Sequence, residues 1–315
     1  MSKLVLLVLA TVLAAGCTSS SIEPPVSDRL SWREAGFAPR EGLYEAIWLG
    51  DRVYAIDHHG GLAAFDPALG TWIQLAPFPT PREDAVLAAA NGKLFALGGE
   101  LHDGEIMDTV EEFDPQTGVW RGRHALPVAV CMTAAVTVDG TIYVIGGDAK
   151  HGPSASVQRY QPASDTWSLG ADMPTARCVL SLTAAGGRIV ALGGINLGTE
   201  KDSWTWLRTV EAYDPVSDTW ETGPDLPEPR ADHTSLTWRD RILVVGGLTQ
   251  TEHFGAPASA GVLALDPAQG RWTEETPLQH GRYGHGVAAR DGVIYILGGR
   301  RDISTPEPRI EIGTF

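Results

Sequence analysis

The sequence predicts an all-β fold in which one four-stranded unit is repeated six times around a closed ring. Three observations carry this. Five Trp residues each stand 26 positions before a Gly-Gly pair: Trp72 with Gly98-Gly99, Trp120 with Gly146-Gly147, Trp167 with Gly193-Gly194, Trp220 with Gly246-Gly247 and Trp272 with Gly298-Gly299. Six residues before each Trp stands Asp66, Asp114, Asp214 or Asp266, with Gln161 as the exception, and Pro follows each of them. Counted from Trp32, the Trp-to-Trp interval runs from 40 to 53 residues, a period that marks one supersecondary unit copied around an array.

In chain order, residues 1–16 stand outside the repeats. Lys3 supplies one charge, Leu4 to Ala15 forms a twelve-residue apolar stretch, and Leu13-Ala14-Ala15-Gly16-Cys17 follows. The stretch is too short to span a bilayer as a helix and reads as an export signal. Its ending resembles a bacterial lipobox, with Cys17 lipidated; a plain signal peptide with an incidental Cys is the alternative. Residues 17–28 are expected to be a lipidated tether, with Thr18 after the Cys pointing to the outer membrane and a periplasm-facing protein in the cell envelope.

Trp32 is expected to be the outer strand of the last unit. The final repeat runs through Gly298-Gly299 to Ile310-Glu311-Ile312 without a Trp strand after it, and counting 26 forward from Trp32 lands on His58-His59, where a degenerate Gly-Gly belongs. Closure of this kind removes exposed sheet edges. Within a repeat, Ala85–Ala90 is an apolar strand, Asn91-Gly92 a tight hairpin signal, and Lys93–Leu97 the strand that runs into Gly98-Gly99. Gly50-Asp51, Asp139-Gly140, Gly186-Gly187, Arg239-Asp240 and Asp291-Gly292 occupy the same turn elsewhere. Runs such as Ile142–Ile145 and Ile242–Val245 suit strands buried on both faces. The paired glycines are read as fold maintenance, at points where a Cβ would clash or φ is positive.

The Gly-Gly, aromatic-Asp-Pro and Trp order resembles the Kelch repeat over nearly all of residues 29–315. The resemblance implies a six-bladed Kelch β-propeller whose last blade is closed by an N-terminal strand. Distantly, the chain also resembles periplasmic sialic-acid mutarotases built on six Kelch blades, although it lacks the large inserted segment of that family.

Antiparallel alternation assigns the loops to faces. The loop after Gly-Gly and the connection to the next blade fall on one face, here called the top, and the hairpin and Asp-Pro turns on the other. From the first Gly position to the next Trp the spacing is 14, 22, 21, 27 and 26 residues, whereas Trp to Gly-Gly never changes. Variable loops on one rim of a rigid scaffold are where binding sites are built.

That rim carries the candidate ligand-binding residues. Arg82, Arg177, Arg230 and Arg282 stand ten residues after a repeat Trp, with Asp84, Asp232, His233, Tyr283 and His285 beside them. Glu100, Asp148 and Arg300 follow Gly-Gly pairs. A ring of Arg and carboxylates suits an acidic sugar or a partner's acidic loop; the other reading makes the Arg set struts that pair with carboxylates of the next blade. Trp204 and Trp206, in the long fourth-blade loop, either stack on a sugar or anchor a partner, or else cover a blade edge.

Other chemistries lack a pattern. There is no His-Glu-x-x-His, Cys-x-x-Cys or Gly-x-Ser-x-Gly spacing, so no metal or cofactor is assigned. Cys131 and Cys178, at equivalent positions of adjacent blades, are read as small apolar core residues, with a disulfide as the alternative. A net charge of −15 argues against nucleic acid. The expectation is therefore a monomeric, membrane-tethered recognition module for an envelope protein or glycan. The enzyme alternative is a sialic-acid mutarotase that uses Asp84, Glu100, Asp232 or Glu45 with an Arg as acid and base.

Overall fold

The computed structural model describes residues 29–39, 42–197, 204–249, 258–266 and 268–314. Cys17 and the expected signal and tether lie outside the described residues. Six four-stranded antiparallel sheets follow one another as blades 1 to 6, so the all-β propeller is as expected. Blade 1 comprises Leu43–Leu49, Arg52–Asp57, Leu62–Asp66 and Thr71–Gln74. Blades 2 to 5 repeat that order, their innermost strands being Val86–Ala90, Ala134–Val138, Ser181–Ala185 and Thr234–Trp238. Each innermost strand contacts those of its two neighbours, which closes the ring.

Blade 6 joins the two ends of the chain. Gly286–Arg290, Val293–Leu297 and Arg309–Thr314 supply three strands, and Ser31–Phe37 supplies the fourth. Trp32 pairs with Gly313 and Ser31 with Thr314, so the expected closing strand is in place. Thr314 also pairs with Val293, beside the Asp291-Gly292 hairpin. The chain therefore enters the propeller at its bottom face.

The hairpin turns have the chemistry their sequences demand. Asn91-Gly92, Asp139-Gly140, Gly186-Gly187, Arg239-Asp240 and Asp291-Gly292 all have positive φ at both residues, the two-residue geometry that matches strand twist. The Gly-Gly pairs lock blade to blade. A Cβ on Gly98 would stand 2.2 Å from the Val130 carbonyl oxygen, and the Gly99 N–H donates to that oxygen at 2.9 Å.

The repeat Trp residues form a second circumferential tie. The indole N–H groups of Trp120, Trp167, Trp220, Trp272 and Trp32 donate to the carbonyls of Ala76, His124, Ala171, Pro224 and Thr276 at 2.8–2.9 Å. Each acceptor lies four residues after the Trp of the preceding blade. Trp72 breaks the series, for its indole N–H is buried without a partner among the described residues.

Apolar clusters fill the seams between blades. Phe95 meets Tyr160 at 5.7 Å between blades 2 and 3, Tyr143 meets Tyr213 at 6.2 Å between 3 and 4, and Tyr295 meets Phe65 at 6.0 Å between 6 and 1. At the seam of blades 4 and 5 the same two positions hold Val190 and Leu265. There the missing ring volume leaves a cavity of about 520 Å³ toward the bottom face, with Ala185, Ala212 and Ile242 in its wall.

Candidate functional site

Twelve residues after the repeat Trp, at the top end of the innermost strands, stand Asp84, Met132, Val179, Asp232 and Gly284. All five have left-handed backbone, with φ of 52°, 47°, 54°, 54° and 52°. Glycine adopts this freely, whereas a β-branched residue such as Val179 is strained by it. In three of the five the turn swings the amide toward the preceding blade. Val179 donates to the Met132 carbonyl at 2.9 Å, Asp232 to Val179 at 3.1 Å and Gly284 to Asp232 at 3.0 Å. These five side-chain positions, with Tyr44 at the equivalent place in blade 1, line one axial cavity of about 370 Å³.

The cavity has two chemically distinct sides. Consecutive blades 5, 6, 1 and 2 contribute Asp232, Tyr283, Arg300, Glu45, His58 and Asp84. Blades 3 and 4 contribute Met132, Val179, Leu180, Ile195 and Trp206. Tyr44 stacks on His58 with ring centroids 4.6 Å apart, and its hydroxyl donates to the Ala85 carbonyl at 2.8 Å.

Enclosure by protein perturbs every acid on the polar side. Burial, reinforced by the charge of Asp232, pushes Glu45 up to about 8. Burial and Asp84 raise Asp232 to about 7, with Arg300 opposing. Asp84 rises to about 6 through burial and the charges of Glu83 and Glu100. His58 is lowered by burial and by Arg300. Three carboxyl groups that exchange protons near neutrality are thus gathered beside one guanidinium, an arrangement of the kind that marks functional sites.

Of the residues proposed from sequence, Asp84, Asp232, His233, Tyr283, Arg300 and Trp206 line this cavity. Glu100 and Asp148 do not, although Glu100 acts on Asp84 through its charge. Their backbones make ladder bridges behind the wall, Glu100 with Glu83 and Asp148 with Cys131. Trp204 belongs to the strand Trp204–Trp206 that pairs with Ile195–Leu197; its side chain lies outside the described residues.

Arg82, Arg230 and Arg282 require a correction. They are not at the cavity but buried, 2%, 2% and 0% exposed. Left-handed Gly-Gly turns direct carbonyls away from the sheet ladder, and buried carbonyls need donors. Arg82 Nε donates to Gly98 O at 2.6 Å, Arg230 Nη1 to Gly246 O at 2.6 Å and Arg282 Nη1 to Gly298 O at 2.9 Å. Their counter-charges are Glu111, Glu228 and Glu311, each at 2.6 Å. Arg177 repeats the arrangement with Glu211 at 2.5 Å. Glu111, Glu211 and Glu311 belong to the third strand of the same blade as their Arg, not to the next blade.

His233 and His285 are held from blade to blade. The His233 Nε2 meets the Ser181 hydroxyl at 2.8 Å, and the His285 Nε2 meets that of Thr234 at 2.9 Å. Burial drives His233 down to about 3 and His285 well below its ordinary value. Cys131 and Cys178 are buried free thiols, as the small-apolar reading has it.

Sequence reasoning missed Tyr44, Met132, Val179 and Ile195 as cavity wall. For Tyr44, Met132 and Val179 the available signal was register: the residue twelve after a repeat Trp faces the axis whatever its type.

Comparison with known proteins bears on the scaffold. The family description "Attractin/LZTR1 beta-propeller" matches residues 56–302. The chain is 30% identical to Kelch-like protein 35 of Mus musculus over 224 residues, covering 70% of this chain and 36% of that protein. It is 26% identical to Kelch-like protein 36 of Bos taurus over 263 residues, or 80% and 34% of the two chains. The chain thus spans about a third of the length of these relatives. Among solved structures, that of YjhT is similar with a TM-score of 0.75 at 16% identity, covering 87% of this chain and 95% of that one.

Proposed function

Because the chain belongs to the attractin/LZTR1 β-propeller family, we propose that it is a recognition module whose ligand enters the axial cavity from the top face. The observation that carries this reading is the two-sided cavity, with convergent polar groups opposite an apolar wall. Small-ligand sites are built in this way. The described top-face connections bring Tyr283, Arg300 and Trp206 to the cavity wall, on a rigid scaffold of the kind that carries binding sites. In this reading residues 1–16 direct export, and Cys17 carries the lipid that tethers the propeller to the envelope. The partner is an envelope protein or a glycan.

The test is a glycan and envelope-peptide screen on the full chain with Cys17→Ala, repeated with Met132→Trp to fill the cavity. Ligands lost on filling support the reading. A hit that binds the filled variant equally well overturns the cavity as the site. Palmitate labelling and membrane fractionation of the wild type check the anchor, and an unlabelled, soluble protein overturns that part.

A second reading makes the cavity catalytic, as in the sialic-acid mutarotases. Asp84 and Asp232 exchange protons near neutrality beside Arg300 and Tyr283, and ring opening of a sugar needs only a positioned acid and base. An assay of sialic-acid anomer exchange decides it: acceleration by wild type that Asp232→Asn abolishes favours the enzyme, and no acceleration removes it.

A further inference from the structure

The cavity's acidic groups outnumber its cations, and this narrows the chemistry of what it takes. We propose that the ligand is an organic ammonium ion on a short apolar stem, an inference that rests on the axial cavity being the recognition site. Glu45, Asp84 and Asp232 face a single guanidinium, Arg300, in the described wall. An anionic sugar would meet one cation and three acids there, whereas an ammonium meets an excess of acceptors.

A second observation is independent of the acids. His233 and His285 line the same cavity and are only 4% and 1% exposed. Their Nε2 atoms are engaged by hydroxyls, yet both Nδ1 atoms are buried without a partner. With the ring proton on Nε2, each Nδ1 is an acceptor closed off inside the wall, so neither ring sets a free N–H against a cation. An ammonium carries three donors and no acceptor, the complement of carboxylates.

The remaining wall suits the stem. Met132, Val179, Leu180 and Ile195 form an apolar side opposite the acids. Tyr44 stacked on His58, with Trp206 across the cavity, presents aromatic rings of the kind that attract a desolvated cation. A metal ion fits less well, since no three His, Cys, Asp or Glu among the described residues are grouped to hold one.

Binding must be coupled to protons. Without ligand the three carboxyls are held partly protonated by burial and by neighbouring acids: Glu83 and Glu100 act on Asp84, Asp84 on Asp232 against the opposing charge of Arg300, and Asp232 on Glu45. His58 and Tyr283 complete the titratable polar side: burial and Arg300 lower His58, which stands 4.0 Å from Asp84, and burial and Asp232 raise Tyr283. An arriving ammonium displaces protons from the acids, so affinity rises with pH across their titration.

Calorimetry of the full chain with n-butylammonium, n-butanol and butyrate tests this at pH 6 and pH 8, in two buffers of different ionisation enthalpy. Butylammonium is expected to bind about tenfold more tightly at pH 8 than at pH 6, with proton release, as the linkage of one acid requires. Asp84→Asn and Asp232→Asn are each expected to weaken it about tenfold, the effect of losing one charge-assisted bond. Should a variant fail to fold, proton release by the wild type decides alone. Nα-acetyl-lysinamide distinguishes the source: tighter binding than butylammonium points to a partner's lysine side chain, weaker binding to a free amine. Butanol or butyrate binding as tightly overturns the ammonium while leaving the cavity as the site. No binding by any probe also overturns the ammonium, and the glycan and peptide screen with Met132→Trp then judges the cavity separately.

Discussion

At the scale of single residues, position decides charge. Arg282 and Glu311 are both fully buried and 2.6 Å apart. Arg282→Ala leaves Glu311 an isolated buried charge and is expected to destabilise the fold by about 3–5 kcal/mol, read by denaturant melts. Asp232 is the opposite case, a carboxyl whose folded state opposes ionisation. Its value rises from 3.8 to about 7 on folding, so the folded chain holds a proton that the unfolded chain has lost between those limits. Stability therefore falls as pH rises through that window. Asp232→Asn is expected to melt at the same temperature as wild type near pH 4 and above it at pH 8. Equal midpoints at both pH values would show that the carboxyl is solvated. The Arg set was legible in the sequence only as a periodicity. Nothing in the spacing told a guanidinium facing the axis from one that caps its own blade's Gly-Gly carbonyl, because that carbonyl's direction follows from two positive φ values. Val179 and Met132 gave even less warning, since neither residue type announces a left-handed turn.

At the scale of strands and seams, five indole N–H groups tie a blade to its predecessor, whereas that of Trp72 has no partner among the described residues. Replacement of Trp120, Trp167 or Trp220 by Phe removes a hydrogen bond of roughly 1 kcal/mol besides volume. Each is expected to melt about 2–4 °C lower than Trp72→Phe, which loses volume alone. The seam of blades 4 and 5 invites the converse change. Leu265→Phe, alone or with Val190→Phe, restores rings at positions that hold an aromatic pair in three other seams, and is expected to raise the midpoint by about 2–4 °C. A lower midpoint would mean that the walls have already closed in on the space. Strands and turns were legible almost throughout, because the Asn-Gly and Asp-Gly pairs and the apolar runs obey local rules. The cavity between blades 4 and 5 was not. It arises from two aliphatic residues 75 positions apart that meet only when the ring closes.

At the scale of the whole molecule, the ring was legible because a count of 26 recurs in every copy, even where Trp32 reaches His58-His59. Deletion of residues 29–37 removes the strand that joins the two ends of the propeller and leaves the edge of Arg309–Thr314 open. The product is expected to melt earlier and to aggregate, as light scattering would register; an unchanged midpoint would mean that the ring holds without its clasp. What no count disclosed is the partition of the mouth into an acidic arc and an apolar arc, a property of six residues from six blades seen together. The clasp itself has a mechanical consequence. Ser31 and Thr314 are paired neighbours at the bottom face, so a load drawing the two ends apart meets the rungs of blade 6 one at a time, as a zipper does. A load applied across the mouth at the top face must instead shear the Gly-Gly ties and whole blade seams together. The propeller is thus weak to tension at its own ends and stiff toward whatever pulls on its open face.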